Sequence, residues 1–336
     1  MDYRRLGKTG LMVSTIGFGG IPIQRVDAAG AAKAIHKAQD MGINFIDSAR
    51  GYTISEEFIG EALKGRRDKW YIATKSMART KDAMEKDIEI SLKNLKTDYI
   101  DLYQIHNIKE MDSYHQITSE DGALAALLKA KSQGKIGHIG ITFHSLDVLK
   151  HAIESGLFET VMYPYNIVET QAEEAFKRAK ELDLGVIAMK PMAGGALTNG
   201  TLAMRFIANN KNITIAIPGM ADIKEVEENV RAVEGFNGLT DNEKQECIRI
   251  SEELGQNFCR RCGYCAPCPK GIDIPFSFIV RSYYENYDLK DWACERYKAM
   301  KAHAEDCIEC GACESKCPYN LPIRKMLKDV KKSFGY

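Results

Sequence analysis

The segment 43–106 decides the fold, because three strand-like runs in it each end in a polar residue: INFID at 43–47, WYIATK at 70–75 and YIDLYQIH at 99–106. The runs are almost continuously apolar, as expected of parallel strands that are buried on both faces. Amphipathic helical stretches at 56–63 and 82–95 separate them. This alternation is typical of repeated βα units around a parallel sheet.

The same pattern extends in both directions and gives eight βα units, from a strand at 15–18 to a helix at 223–233. Eight units predict a (β/α)8 TIM barrel. Before the first unit, two short strand-like segments at 3–6 and 11–13 flank GKTG. The two glycines suit a tight turn, so we expect an N-terminal β-hairpin that closes the bottom of the barrel. A doubly wound open sheet is the alternative, but GFGGIP at 17–22 lacks the G-x-G-x-x-G turn typical of that fold.

Composition excludes several classes of protein. The 336 residues are 45% hydrophobic and 27% charged, with 46 basic and 46 acidic side chains. Such a chain is globular and has no overall basic charge with which to attract nucleic acid. No apolar run reaches the roughly 18 to 20 residues that span a bilayer, and MDYRRLGKTG lacks the apolar core of a signal peptide. We therefore expect a cytoplasmic protein without nucleic-acid or membrane partners.

The cysteines divide the chain in two. All ten lie between Cys247 and Cys317, so the region before them has no sulfur ligands. From about residue 240 the βα alternation also gives way to helices and cysteine-rich loops. We predict a barrel domain at 1–240 and a small, mostly helical domain at 241–336.

Eight cysteines form two arrays. The second reads C-x2-C-x2-C-x3-C-P, and the first is one residue shorter before its last cysteine; their members are Cys259, Cys262, Cys265 and Cys268, and Cys307, Cys310, Cys313 and Cys317. This run resembles that of bacterial two-cluster ferredoxins, in which the fourth cysteine of each run binds the other cluster. The resemblance implies two 4Fe-4S clusters, with Cys317 joining the first three cysteines and Cys268 joining the later three. Tetrahedral zinc is the alternative.

Four polar residues mark the predicted barrel mouth: Asp47, Lys75 and His106 end successive strands, and Tyr52 lies in the loop after Asp47. The carboxyl ends of parallel strands meet at one face of a barrel, so these side chains can converge. A lysine ammonium beside a phenol lowers the pKa of the phenol, and an aspartate orients the lysine. Histidine can hydrogen-bond a substrate carbonyl.

These motifs carry a family resemblance. FIDSARGY, ATKS, LYQIH, EEFIGEAL and the opening RRLGKTGLMVSTIGFGG resemble the aldo-keto reductase superfamily. With the cysteine arrays, the chain is similar to its iron-sulfur-containing branch, which carries a ferredoxin-like C-terminal domain. The resemblance implies that Tyr52 is the general acid/base, that Lys75 and Asp47 tune it, and that His106 orients a carbonyl substrate. NAD(P)H would deliver the hydride.

A cofactor site is implied in the same way. IPGMADIKEVEEN resembles the family segment that binds the adenosine end of the cofactor. The implied cofactor-binding residues are Thr142, Asn166, Lys190, Pro218, Gly219, Glu225, Glu228 and Asn229. Glu225 stands where the family usually has an arginine, and a carboxylate there favours NADH over NADPH. Lys190 has two further interpretations, a ligand for a substrate carboxylate or a solvated surface residue.

The predicted function is therefore reversible reduction of an aldehyde or ketone to an alcohol by NAD(P)H. Hydride transfer moves two electrons together, whereas a 4Fe-4S cluster carries single electrons. The clusters are thus either structural or exchange electrons with a partner protein. The alternative function is an electron-transfer or redox-sensing protein whose barrel binds cofactor without turnover.

Overall fold

All strands of the main sheet are parallel. In the computed structural model, which describes residues 1–335, the strands are β1 Tyr3–Arg5, β2 Met12–Ser14, β3 Phe18–Gly19, β4 Phe45–Asp47, β5 Tyr71–Ser76, β6 Ile100–Ile108, β7 Ile136–Phe143, β8 Thr160–Pro164, β9 Gly185–Met189 and β10 Ile215–Ile217. The main sheet contains eight of them in the order β3 to β10, each beside its sequence neighbour. That order is the one expected of consecutive right-handed βα units.

Single bridges close the sheet into a barrel, confirming the predicted fold. Ile16 pairs with Ala216 and Gly19 with Gly219, both in parallel fashion. The first strand is shorter than the predicted 15–18 and lies slightly later. A Cβ on Gly19 would stand 2.7 Å from the Pro218 carbonyl oxygen, so this close approach requires glycine.

Helices connect the barrel strands: α1 Ala28–Asp40, α2 Ser55–Ala62, α3 Lys81–Leu95, α4 Met111–Thr118, α5 Ala123–Ser132, α6 Leu146–Glu154, α7 Glu173–Glu181, α8 Gly200–Asn209 and α9 Ile223–Val233. The helices predicted at 56–63, 82–95 and 223–233 agree with α2, α3 and α9 to within about one residue at each end, inside the usual uncertainty of helix boundaries. Helix α4 was not predicted. It is one short segment in the loop after β6 and buries only Tyr114 and Ile117, too few apolar residues for a clear period.

The N-terminal hairpin lies at the opposite end of the barrel from the predicted site. Strands β1 and β2 pair antiparallel, with Tyr3 opposite Ser14. Leu6 is fully buried in a core cluster with side chains of the barrel strands, such as Phe45 and Ile187. Lys8 donates its backbone N–H to the Asp183 carbonyl, just before β9 begins. The hairpin therefore covers the amino ends of the strands, as predicted.

A second compact unit contains the chain from Thr240 onward together with Ile167–Glu169 and Met192–Thr198. Its helices are α10 Asp241–Gly255, α11 Ile274–Glu285, α12 Lys290–Lys298 and α13 Ile323–Phe334. The core is small and includes Val280, Leu327 and Val330. The ring of Tyr297 stacks on that of Phe334 with centroids 4.2 Å apart. Two of the array cysteines, Cys265 and Cys313, belong to this core.

Candidate active site and cysteine cavities

The four residues predicted at the barrel mouth come together. Asp47 ends β4, while Lys75 and His106 lie near the carboxyl ends of β5 and β6, the next two strands of the sheet. Tyr52 lies in the loop between β4 and α2. Because adjacent parallel strands end at the same face, residues distant in the sequence become neighbours here.

Lys75 is the centre of the group. Its ammonium donates hydrogen bonds to Asp47 Oδ1 and to the Ser48 carbonyl oxygen, the latter over 2.7 Å. It also stands 4.9 Å from the ring centroid of Tyr52. The Tyr52 and His106 rings meet edge to face, with centroids 6.1 Å apart. A phenol, an ammonium and an imidazole are thus within reach of one small substrate group.

Asp47 and Lys75 form a buried ion pair, with side chains only 4% and 2% exposed. Burial raises the pKa of Asp47, and it lowers the pKa of Lys75. The attraction between the two charges opposes both shifts. The charge state of each residue therefore depends on the other.

His106 is neutral at physiological pH. Burial, followed by the positive charges of Lys75, Arg79 and Lys190, holds the pKa of His106 well below its ordinary value. Its Nδ1 atom is buried without a hydrogen-bond partner among residues 1–335. A neutral imidazole can donate a hydrogen bond to a carbonyl oxygen without releasing a proton.

A second buried carboxylate, Glu56 on α2, was not predicted from the sequence. It is 1% exposed. Its oxygens accept hydrogen bonds from Thr74 Oγ1 and Ser91 Oγ at 2.8 Å, Arg50 Nη1 at 2.9 Å and Asn94 Nδ2 at 3.3 Å. Its negative charge acts on Lys75 and raises the pKa of that lysine, against the larger effect of burial. Glu56 lies inside EEFIGEAL, but nothing in that pattern separates a buried glutamate from a solvated one.

Gln104 and Arg79 were also missed. Gln104 is fully buried on β6 and donates from Nε2 to Asp47 Oδ2 over 3.1 Å. Arg79 donates to the backbone carbonyls of His106 and Asn107, at 2.9 and 3.0 Å, and so fixes the end of β6. Gln104 had a signal in the sequence, because a polar residue inside an apolar strand, two positions before His106, faces the same side as the histidine.

Three predicted cofactor residues follow on the next strands. Thr142 ends β7 and accepts from the Asn107 amide through Oγ1 at 2.8 Å. Asn166 is fully buried after β8 and donates from Nδ2 to the Lys190 carbonyl over 3.0 Å. Lys190 follows β9 with φ +57°. Hydroxyl, amide and ammonium groups thus lie at successive strand ends, a donor set that suits a carboxamide and a phosphate.

The remaining predicted cofactor residues lie after β10. Pro218 accepts from the Gly19 amide at 2.9 Å, and Gly219 packs so closely that a Cβ would stand 2.7 Å from Pro22 Cγ. On α9, Glu228 is exposed and lies 3.8 Å from Lys224. Asn229 donates to the Glu225 carbonyl at 2.8 Å.

Glu225 has its own partners at the start of α9. Its carboxylate pairs with Arg25 and accepts from the Ala221 amide at 2.6 Å. The Asp222 carboxylate caps the same helix by accepting from the Glu225 amide at 2.9 Å. Two carboxylates therefore already bind backbone amides at this helix N-terminus, a place where anions commonly bind.

The later cysteine array lines a small pocket with the last cysteine of the first array. Four cysteines border it, Cys268 from the first array and Cys307, Cys310 and Cys313 from the second. The apolar residues Ile274 and Leu327 complete the wall. Four thiols around one pocket are the ligand set that a 4Fe-4S cube requires. No group of three or more His, Cys, Asp or Glu side chains in residues 1–335 is arranged to hold a single metal ion.

Cys317, the last cysteine of the second array, lies close to Cys262 of the first array. Burial raises the pKa of the Cys262 thiol, and the nearby charge of Cys317 raises it further. Burial, followed by the charges of Cys259 and Cys262, raises the pKa of Cys265 to about 12. Thiols of this kind become thiolates only beside a strong positive charge such as a metal. None of the ten cysteines is in a disulfide.

Comparison with protein families gives two matches. Residues 15–201 match the model described as "Aldo/keto reductase family", and residues 258–322 match that of a "4Fe-4S dicluster domain". The second match contains all eight cysteines of the arrays. None of the helices within residues 1–335 combines the length and the apolar character of a membrane-spanning segment.

Individual relatives agree with these matches. The chain is 30% identical to L-galactose dehydrogenase of Arabidopsis thaliana over 71% of its own length and 90% of the relative's. It is 28% identical to 6-dehydroglucose reductase of Novosphingobium aromaticivorans, covering 68% of this chain and 80% of that protein. An aldo-keto reductase structure from Bacillus halodurans (holo form) superposes with a TM-score of 0.66 at 28% identity, covering 74% of this chain and 96% of that one.

Proposed function

This chain belongs to the aldo/keto reductase family and carries a 4Fe-4S dicluster domain, and we propose that it reduces an aldehyde or ketone to an alcohol with NAD(P)H. The observation that carries the proposal is the buried Asp47–Lys75 pair, with the Lys75 ammonium 4.9 Å from the Tyr52 ring. The family supports an oxidoreductase, and this geometry supports the proton-transfer step that carbonyl reduction requires.

Each residue of the group has a distinct part in this proposal. Tyr52 donates its phenolic proton to the carbonyl oxygen, and the positive charge of Lys75 makes the phenol a stronger acid. Asp47 holds the ammonium in place. Neutral His106 donates a hydrogen bond to the same oxygen and stabilises the negative charge that develops there. Bound NAD(P)H supplies the hydride.

We infer that the cofactor is held by Thr142, Asn166 and Lys190 at the strand ends, and by residues of the 218–229 segment. The exposed Glu228 carboxylate suits the adenine amine, with Asn229 beside it. NADH is the preferred form, because Glu225 and Asp222 already use backbone amides at the start of α9. A 2'-phosphate would meet these carboxylates, and like charges repel.

We further infer two 4Fe-4S clusters with exchanged fourth ligands. Cys307, Cys310, Cys313 and Cys268 hold one cluster, and the shared pocket supports that set. Cys259, Cys262, Cys265 and Cys317 hold the other. Metal and sulfide content would test the count, and a visible absorption band with equal iron and sulfide would contradict zinc.

The direct test uses protein purified without oxygen. Carbonyl-dependent oxidation of NADH and NADPH is measured against a panel of aldehydes and ketones that includes sugar-derived carbonyls, since two relatives are named for sugar substrates. Tyr52→Phe should abolish turnover and leave cofactor binding and the iron content unchanged. Full activity in that variant would contradict the proposed role of Tyr52.

Electron transfer or redox sensing is a second candidate, favoured by the dicluster domain itself. Hydride chemistry requires no one-electron centre, so redox-active clusters would need an electron-transfer protein as partner. Partner binding that follows cluster potential, with no carbonyl turnover, would favour this function. Carbonyl reduction that survives cluster loss would favour the reductase.

Unbridged cysteines suit a reducing compartment, and we propose the cytoplasm.

A further inference from the structure

Gln104 occupies an unusual place for an amide. It is fully buried on β6, directly beside Lys75 in the pairing of β5 with β6. Its Nε2 donates to Asp47 Oδ2 over 3.1 Å, while Lys75 donates to Oδ1. Each oxygen of Asp47 therefore has its own donor, one charged and one neutral.

The other end of the same amide has no partner. Gln104 Oε1 is buried and accepts no hydrogen bond from residues 1–335. A buried carbonyl without a partner is unfavourable, and an apolar side chain of equal length would avoid the cost. The amide therefore stabilises this site only through its single bond to Asp47.

The hydrogen bond from Gln104 to Asp47 affects whether one proton lies on Lys75 or on Asp47. A buried lysine and aspartate can exist as ammonium and carboxylate, or as amine and carboxylic acid after the proton moves from Nζ to the carboxylate. Burial disfavours the charged form. A hydrogen bond to an ionised acceptor is roughly twice as strong as one between neutral groups, so an amide N–H on Oδ2 favours the charged form.

We propose that Gln104 is a positioning residue that holds the Asp47–Lys75 pair in its ionised form, and through it sets the acidity of Tyr52. The inference rests on the proposed reductase function. The hydrogen bond of Gln104 goes to Asp47 and not to Tyr52, so Gln104 acts through the ion pair. Its removal lets the Lys75 proton pass to Asp47, and a neutral amine no longer favours the phenolate of Tyr52.

Other charged groups face this pair and stay in place when Gln104 is changed. Glu56 acts on Lys75 from α2, and the Glu56 carboxylate itself pairs with Arg50. His106 is on β6, the strand that also carries Gln104, and its ring meets the ring of Tyr52. The imidazole of His106 is neutral. Neither Glu56 nor His106 donates a hydrogen bond to Asp47, so neither replaces the amide.

The test compares Gln104→Met with the unchanged protein by two readouts. The first is the ionisation of Tyr52, followed as tyrosinate absorbance against a matched Tyr52→Phe background, which requires no substrate. We expect the Tyr52 pKa to rise in Gln104→Met.

The second readout is the pH profile of carbonyl reduction. In Gln104→Met, kcat should fall about tenfold and the basic limb should move to higher pH, since a pKa change of one unit corresponds to a tenfold change in the protonation equilibrium. Cofactor affinity should remain within about twofold, because the hydrogen bond of Gln104 goes to Asp47 and not to a proposed cofactor residue.

Thr160→Val is the matched control. Thr160 is likewise fully buried in the barrel, on β8, and its Oγ1 has no partner among residues 1–335. It has no bond to Asp47, so neither readout should move. Gln104→Leu, an apolar side chain of different shape, guards against a folding defect specific to methionine and should shift both readouts in the same direction.

The outcomes separate the two claims. If Gln104→Met and Gln104→Leu lower kcat but leave the Tyr52 titration and the basic limb unchanged, Gln104 only packs and the inference is wrong. If the unchanged protein reduces no carbonyl yet the Tyr52 titration still moves in Gln104→Met, the reductase proposal fails and the inference about Gln104 stands.

Discussion

The barrel mouth and the second compact unit both bury polar groups, but they stabilise them in different ways. The second unit, which contains the chain from Thr240 onward and all ten cysteines, is called the cysteine unit below. In the barrel, the charges of Asp47 and Lys75 meet each other and further donors of the same chain. In the cysteine unit, Cys265 and Cys313 lie in the core, and burial raises the pKa of both thiols, that of Cys265 to about 12. One region supplies its own counter-charges, whereas the other has thiols that suit an external cation.

This contrast indicates how far the folding of each region depends on a bound group. The barrel has a large apolar core and a site that is electrostatically paired before any cofactor binds. The cysteine unit has a small core in which Cys265 and Cys313 are themselves members. Small domains of this kind commonly need metal to fold. We expect the barrel to remain folded without cofactor and the cysteine unit to require its clusters.

Removal of the iron should therefore give the largest effect. We expect the chain beyond about residue 255 to lose protection from proteolysis, while the barrel keeps a cooperative thermal transition. Structural metal sites supply on the order of 10 kcal/mol of folding free energy, which exceeds the stability of most small domains. Limited proteolysis and calorimetry of chelated and intact protein would measure this. A protease-resistant tail without iron would remove the contrast between the regions.

Lys75→Met should be the most damaging substitution in the barrel. It leaves the Asp47 carboxylate buried without its cationic partner, which costs about 3–5 kcal/mol when one member of a buried pair is removed. Activity should also fall by about 10²–10⁴-fold, the usual contribution of proton transfer. Thermal unfolding and kcat are the measurements. Lys69→Met is the control, because Lys69 is exposed and its pair with Asp68 is on the surface. Equal effects of the two variants would contradict a special role for the buried pair.

The cysteine unit has a buried ion pair of its own, which makes the comparison sharper. Arg261 binds Glu169, with side chains 9% and 0% exposed, and donates its backbone amide to Cys259 Sγ over 3.4 Å. Arg261→Met should leave Glu169 buried and unpaired and lower stability by about 3 kcal/mol, somewhat less than Lys75→Met because the arginine is more exposed. Arg178→Met breaks a surface pair with Glu154 and should change stability by less than about 1 kcal/mol.

Denaturation midpoints of the iron-loaded variants would measure both effects. If Arg261→Met and Arg178→Met were equally mild, the Arg261–Glu169 pair would contribute no more than a surface contact. The unit would then depend on its metal alone.

The sequence predicted the fold well, because barrel strands are apolar runs whose period and spacing are visible in one chain. It also predicted which of its residues meet at the barrel mouth, since Asp47, Lys75 and His106 each end such a run. The buried positions of Glu56 and Arg261 were harder to predict. A charged residue on a helix or loop usually faces solvent, and only the tertiary structure shows which partner buries it. The ion pair of Glu225 with Arg25 could not be predicted for the same reason, because Arg25 lies far from Glu225 in the sequence.

Glu159 predicts a pH dependence confined to the barrel. Although burial raises its pKa, hydrogen bonds from His138 and Lys131 and from the Ile139 amide lower it to about 2. A depressed pKa means that this stabilisation is present above about pH 4.5 and is lost as the pH falls towards 2. Glu159→Gln should reduce the stability of the barrel by up to about 3 kcal/mol at neutral pH and by little at pH 2.

Thermal melts of Glu159→Gln and the unchanged protein across this pH range would test it. Glu154→Gln is a suitable control because its exposed pair with Arg178 is screened by solvent. A constant difference in melting temperature at all pH values would mean that packing, and not charge, accounts for the effect of Glu159.

The smallest effect concerns the choice of cofactor and rests on charge alone. Glu225 pairs with Arg25 and binds the Ala221 amide. Glu225→Gln removes the negative charge and releases the Arg25 guanidinium, so we expect kcat/KM with NADPH to rise relative to NADH by about five- to tenfold, or about 1 kcal/mol. Glu228→Gln, one turn further along α9 and exposed, should change the ratio less. If both substitutions moved the ratio equally, the general field of the helix would set the preference, and the local ion pair would have no part in it.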